Sequence, residues 1–162
     1  DSAVACGWEA PACRKTTTPA VRARAHRHDC PRTQRAGVDA IWETDAEVLP
    51  TVLAPAAPPR DPRAGLAVDR VALDNCFAGW DGRAEVEWPE RGARLSMRAE
   101  GPLGFLVVYT PPGEPYFCAE PVSNATDAFN LAATGRGDTG MIVLGPGEEA
   151  SATISFAPAA AP

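Results

Sequence analysis

Two neighbouring segments that alternate without a break constrain this 162-residue chain more than anything else in it. In residues 83–88, Ala84, Val86 and Trp88 alternate with Arg83, Glu85 and Glu87. In residues 93–99, Ala93, Leu95, Met97 and Ala99 alternate with Arg94, Ser96 and Arg98. A period of two gives each strand one apolar and one wet face. Pro89-Glu90-Arg91-Gly92 supplies the turn, and Glu85 and Glu87 can face Arg94 and Arg98 across the resulting hairpin. One apolar face demands a second layer to cover it.

The rest of the chain supplies that layer as further strands. GVDAIWET (residues 37–44) and EVLPTVLA (residues 47–54) read as strands, followed by the extended, Pro-rich APAAPPRDPRAG. LGFLVVY (residues 103–109) is apolar on both faces and belongs inside a packed sheet. The carboxyl end reads as a GMIVL strand, a GPGE turn, and a strand with Ala150, Ala152, Ile154 and Phe156 on one face. No segment keeps a helical period over three turns, and 17 Pro with 14 Gly suit a chain of many turns. The fold class expected is all-β, an antiparallel β-sandwich.

Residues 1–35 differ in character. They lack strand or helical periodicity, and residues 1–40 hold seven Lys/Arg against four Asp/Glu, whereas the remainder holds eight against seventeen. We therefore divide the chain into an irregular segment, 1–35, and a sandwich, 36–162. A basic arm on a polyanion is the functional alternative for the first segment. His26 and His28 lie there without neighbouring ligands, so no metal site is expected. A net charge of −6 gives no electrostatic footprint for nucleic acid. No apolar run is long enough to span a membrane. Five cysteines at irregular spacings fit neither a disulfide framework nor a zinc site, which favours a reducing compartment and a cytoplasmic location.

Two segments place polar groups where the strand pattern calls for burial. In ALDNCFAGWDG (residues 72–82), Asp74 and Asn75 stand between Leu73 and Cys76-Phe77. In YFCAEPVSNATDAFN (residues 116–130), Tyr116, Cys118 and Glu120 share one strand face, and Pro121 holds Glu120 extended at the mouth of a sheet. Turn formation explains Asp74 equally well, and an edge charge explains Glu120. Trp80, Phe77, Trp42 and Tyr116 are large flat rings of the kind that fill cores and can also pack on a ligand.

These same segments carry a resemblance. ALDNCFAGWDG, LVVYTPPGEPYFCAEPVSNATDAFN and LGPGEEASATISF, with WETDAEVLPT upstream, resemble the carboxyl-terminal half of the aldose 1-epimerase (galactose mutarotase) family over residues 36–157. The resemblance implies part of that family's large antiparallel β-sandwich. It implies an isomerase that interconverts α and β anomers of free aldohexoses such as galactose and glucose, without metal or organic cofactor. Glu120 is then the base that takes the proton from O1, and Asp74 holds sugar hydroxyls. Asn75, Phe77, Trp80 and Tyr116 are the remaining substrate-binding candidates. The family enzyme is nearly twice this length, so the chain reads as a truncated member. Gly7-Trp8-Glu9-Ala10-Pro11 stands where relatives carry Gly-Trp-His-Pro, with Glu9 in place of the general-acid histidine. Two alternatives follow: a carbohydrate-binding sandwich without catalysis, and a hexose 6-phosphate epimerase using Arg60, Arg63 and Arg136.

Overall fold

The computed structural model describes residues 33–114 and 116–161. Glu9, His26, His28 and most of the segment expected to be irregular lie outside the described residues. The anticipated boundary at residue 36 falls at the end of the first strand, β1 (Thr33–Ala36), so residues 33–35 are already part of a sheet.

Nine further strands follow: β2 (Ala40–Thr44), β3 (Pro50–Pro55), β4 (Leu66–Ala67), β5 (Leu73–Ala78), β6 (Arg83–Trp88), β7 (Ala93–Glu100), β8 (Phe105–Thr110), β9 (Cys118–Val122) and β10 (Thr153–Ala160). The one α-helix among the described residues, α1 (Ala128–Ala133), has six residues, and no described helix is long and apolar enough to cross a membrane. The strands form two five-stranded antiparallel sheets, ordered β10-β7-β6-β1-β4 and β3-β2-β5-β8-β9. The expected all-β sandwich is the observed fold.

The alternation read from residues 83–99 is the β6–β7 hairpin, with Glu87 opposite Arg94. Glu85 faces Ser96, and Arg83 rather than a carboxylate faces Arg98. The wet face therefore sets one carboxylate opposite an arginine, not two, and the ion pair that Glu87 makes is with Arg35 of β1 at 3.6 Å. Ala84, Val86 and Met97 point inward and meet Ile41, Phe77, Leu106 and Val108 from the other sheet. These residues are buried, and apolar burial at about 25 cal/mol per Å² is the main force holding the layers together.

Expectations fail in two places, first at the carboxyl end. GMIVL is not a strand: Ile142, Val143 and Leu144 are exposed and in no ladder. An apolar run without periodicity does not identify a strand, because it says nothing about which partner would pair with it. The closing strand starts at Thr153, not at Ala150, and of its inward set only Ile154 packs against the core. Secondly, Pro121 does not end its ladder. The β9 strand continues to Val122, with Leu106 opposite Pro121. Proline is tolerated because β9 is an edge strand among the described residues, so the missing N–H removes no bond to a further neighbour.

Candidate active site

Successive residues on a strand point to opposite faces, so register decides which polar groups meet. In the sheet β3-β2-β5-β8-β9, one face packs into the sandwich through Leu73, Phe77, Leu106, Val108 and Ala119. The other face carries a row made by Asp74, Tyr109 and Cys118, and beside it a row made by Cys76, Val107 and Glu120. Asp74 and Glu120 thus share the outer face. They lie two strands and one pleat repeat apart, which at roughly 4.8 Å per strand and 3.4 Å per residue separates their Cα atoms by about 12 Å. That leaves room for one hexose ring between the carboxylates.

A segment from residue 123 to residue 140 covers part of this face. Ala125 and Leu131 pack against Trp42, Cys76, Ala78 and Phe105, and those four are buried. The Thr126 backbone N–H bonds to Cys76, but burial dominates and pushes that thiol up to about 12, so Cys76 stays protonated and inert. The Arg136 guanidinium lies 4.8 Å from the centre of the Trp42 ring and is paired with Asp138. Asp74, Val107, Tyr109, Tyr116 and Glu120 remain exposed or half-buried beyond the edge of this cover. Neither the Asp74 nor the Glu120 carboxylate is hydrogen-bonded to another described residue. Burial holds the Asp74 carboxyl above the ordinary aspartate range, as expected for an acid beside apolar surface without a cationic partner.

The structure brings Tyr116 to this group, its ring tilted against Tyr109 at 6.4 Å between centroids. It does not bring the other three candidates there. Phe77 is wholly buried between the sheets, on the face opposite Asp74. Asn75 also points inward, and its Nδ2 donates to the Trp42 carbonyl at 2.9 Å, tying β5 to β2 where their ladder has ended. Trp80 is buried beyond the far end of β5 and its Nε1 donates to the Arg83 carbonyl. It lines a cleft of about 430 Å³ with Gly82, Leu103, Phe105, Ser123 and Gly140, at the end of the sheet away from Asp74. Trp42 is core under the covering segment. Tyr109 escaped the sequence reading because it closes an apolar strand. Its one signal was being the only residue in 103–109 with a polar tip.

Comparison with known proteins bears on the fold and the family. The sequence pattern of the aldose 1-epimerase family matches residues 28–157. The uncharacterized protein YphB of Escherichia coli K12 is 32% identical over 91 residues, which is 52% of this chain and 30% of YphB. A candidate aldose 1-epimerase of Escherichia coli K12 superposes with a TM-score of 0.62 at 22% identity, covering 79% of this chain and 44% of that one. A galactose mutarotase-like protein of Clostridium acetobutylicum gives a TM-score of 0.65 at 18% identity, covering 80% and 42%. The chain thus spans less than half the length of each of these relatives. With four-fifths of its residues inside the family pattern and both sheets shared with solved mutarotase-like folds, the chain belongs to the aldose 1-epimerase family.

Proposed function

We propose that the face bearing Asp74 and Glu120 binds a free aldohexose and exchanges its anomers. The observation that carries this reading is the placement of both carboxylates on one open face, neither hydrogen-bonded to another described residue. Polar groups left without protein partners on a partly desolvated surface are available to a ligand rich in hydroxyls. Anomer exchange opens the hemiacetal, turns about C1–C2 and closes on the other face of C1. Opening requires a base at O1, and a carboxylate at hydrogen-bond reach serves as one. Glu120 takes that role, and Asp74 accepts hydrogen bonds from ring hydroxyls on the far side. Tyr116 offers a flat apolar edge to the sugar. The reaction neither gains nor loses electrons, so this reading calls for no redox group.

A free sugar suits the surface better than a phosphorylated one. Arg60 is engaged by Glu43 through two hydrogen bonds, one of 2.7 Å. Arg63 is engaged by Asp61 and the Ala56 carbonyl, and Arg136 by Asp138. A phosphate would have to displace a carboxylate from each.

Polarimetry on freshly dissolved α-galactose and α-glucose tests the proposal beside Glu120→Gln. Acceleration over the spontaneous rate is expected, reduced by about 10²–10⁴-fold in the variant. A well-folded wild-type protein that binds sugar without speeding the exchange would replace the enzyme reading with a carbohydrate-binding one.

A further inference from the structure

A hexose that reaches from Glu120 on β9 to Asp74 on β5 must cross β8, the strand between them. The outward side chains of β8 at that level are Val107, opposite Glu120, and Tyr109, opposite Asp74 and Cys118. These two form the floor between the carboxylates. Val107 packs partly against the cluster under the covering segment and offers a ligand only methyl groups. Tyr109 offers a ring and a hydroxyl, and that hydroxyl is not hydrogen-bonded to another described residue.

Opposed residues on neighbouring strands have Cβ atoms about 5 Å apart, so Tyr109 rises beside Asp74 and only diagonally from Glu120. Its strand is hydrogen-bonded on both sides and its ring rests against Tyr116, which leaves little freedom to lose when a ligand arrives. Burial, then the nearby Tyr116, Asp74, Cys118 and Glu114, push its titration upward, so at neutral pH the phenol is protonated. A protonated phenol both donates and accepts, whereas the Asp74 carboxylate accepts only. Side by side, the two groups complement sugar hydroxyls, each of which is a donor and an acceptor at once.

We infer that Tyr109 is a substrate-binding residue that works as a pair with Asp74, at the part of the sugar away from O1. The carboxylate accepts from one ring hydroxyl, and the Tyr109 hydroxyl donates to the same hydroxyl or to its neighbour on the ring. The inference rests on the sugar-binding part of the reading above and gives the phenol no part in proton transfer. It makes Tyr109 a determinant of which sugars are held, because a hydrogen bond to one hydroxyl is lost when that hydroxyl is missing.

Equilibrium binding by ligand-observed NMR tests this on wild type, Tyr109→Phe and Asp74→Asn. The probes are whichever of galactose and glucose wild type binds more tightly, its 1,5-anhydro alditol, which lacks O1, and its monodeoxy forms. Tyr109→Phe should weaken binding of the parent sugar about two- to tenfold, the worth of one hydrogen bond. The loss should persist with the 1,5-anhydro alditol and vanish with one monodeoxy sugar, the one missing the hydroxyl that Tyr109 reads. The Asp74→Asn loss should vanish with that same sugar or with the one altered at the adjacent carbon. Wild-type affinity in Tyr109→Phe overturns the inference. So does an equal loss with every probe, which would make Tyr109 a support for the site's shape, or a loss erased by removing O1. The expected pattern in a protein that does not speed anomer exchange would uphold Tyr109 and end the enzyme reading, while a wild type that binds neither sugar overturns both.

Discussion

At the scale of single residues, alternation decides what this chain can offer a ligand. The motif Asp74-Asn75-Cys76-Phe77 looks like one polar and apolar cluster when read along the chain. On a strand it is two sets: Asp74 and Cys76 face outward, while Asn75 and Phe77 face the core. The sequence made Asp74 and Glu120 visible as polar groups in apolar strands. It could not separate their faces from those of their neighbours without knowing that both flanks of β5 are paired. Asp74 also has an energetic signature. Burial raises its folded-state titration above the unfolded value near 3.9, so the fold holds the proton more tightly than the unfolded chain does. Its protonated form therefore adds stability below the unfolded value, and that contribution is lost as pH rises through the folded one. Asp74→Asn should unfold in urea at pH 7 at the wild-type concentration or slightly above it, by a few tenths of a kcal/mol given its exposure, and should gain nothing at pH 3. A variant markedly less stable than wild type at pH 7 would show Asp74 to be a structural residue.

At the scale of elements, the legible parts are those whose pattern is local. The β6–β7 hairpin announces itself through alternation and its turn residues, and it forms where the pattern puts it. Apolar GMIVL has no period, and although the turn expected at residues 145–148 forms after it, it does not form a strand. The covering segment, residues 123–140, was equally hidden, because its fit depends on contacts with distant strands. Gly140 shows the closeness of that fit. It has φ +71°, and a Cβ there would lie 2.5 Å from the Ser123 carbonyl oxygen and collide with the Phe105 ring. Gly140→Ala should therefore cost about 2–3 kcal/mol, from a left-handed backbone and overpacking together. Differential hydrogen exchange should show its effect first in residues 123–140, and a variant with wild-type stability and exchange would mean that the segment is loosely held.

At the scale of the whole molecule, the pairings that build the sandwich are mostly non-consecutive: β1 joins β4 to β6, β2 joins β3 to β5, and β7 meets β10 across more than fifty residues. Composition and periodicity carry the all-β class, but such pairings are set by which faces close a common core, and local pattern does not encode them. The same logic leaves apolar surface outside that core. Ile142, Val143 and Leu144 are 43%, 80% and 48% exposed in one run, and Val52 on the edge strand β3 is 54% exposed. Contiguous apolar surface beside open strand edges favours association between copies. Sedimentation velocity over a wide concentration range should show self-association, and Val143→Asp should weaken it. Burial of a valine is worth about 1.5 kcal/mol, which corresponds to roughly a tenfold change in the association constant. Because Val143 contributes nothing to either buried cluster, the same substitution should leave the urea midpoint unchanged. A shifted midpoint would place Val143 in the fold's own stability, and a protein that stays monomeric at every concentration would show that this exposed run is tolerated without a partner of its own kind.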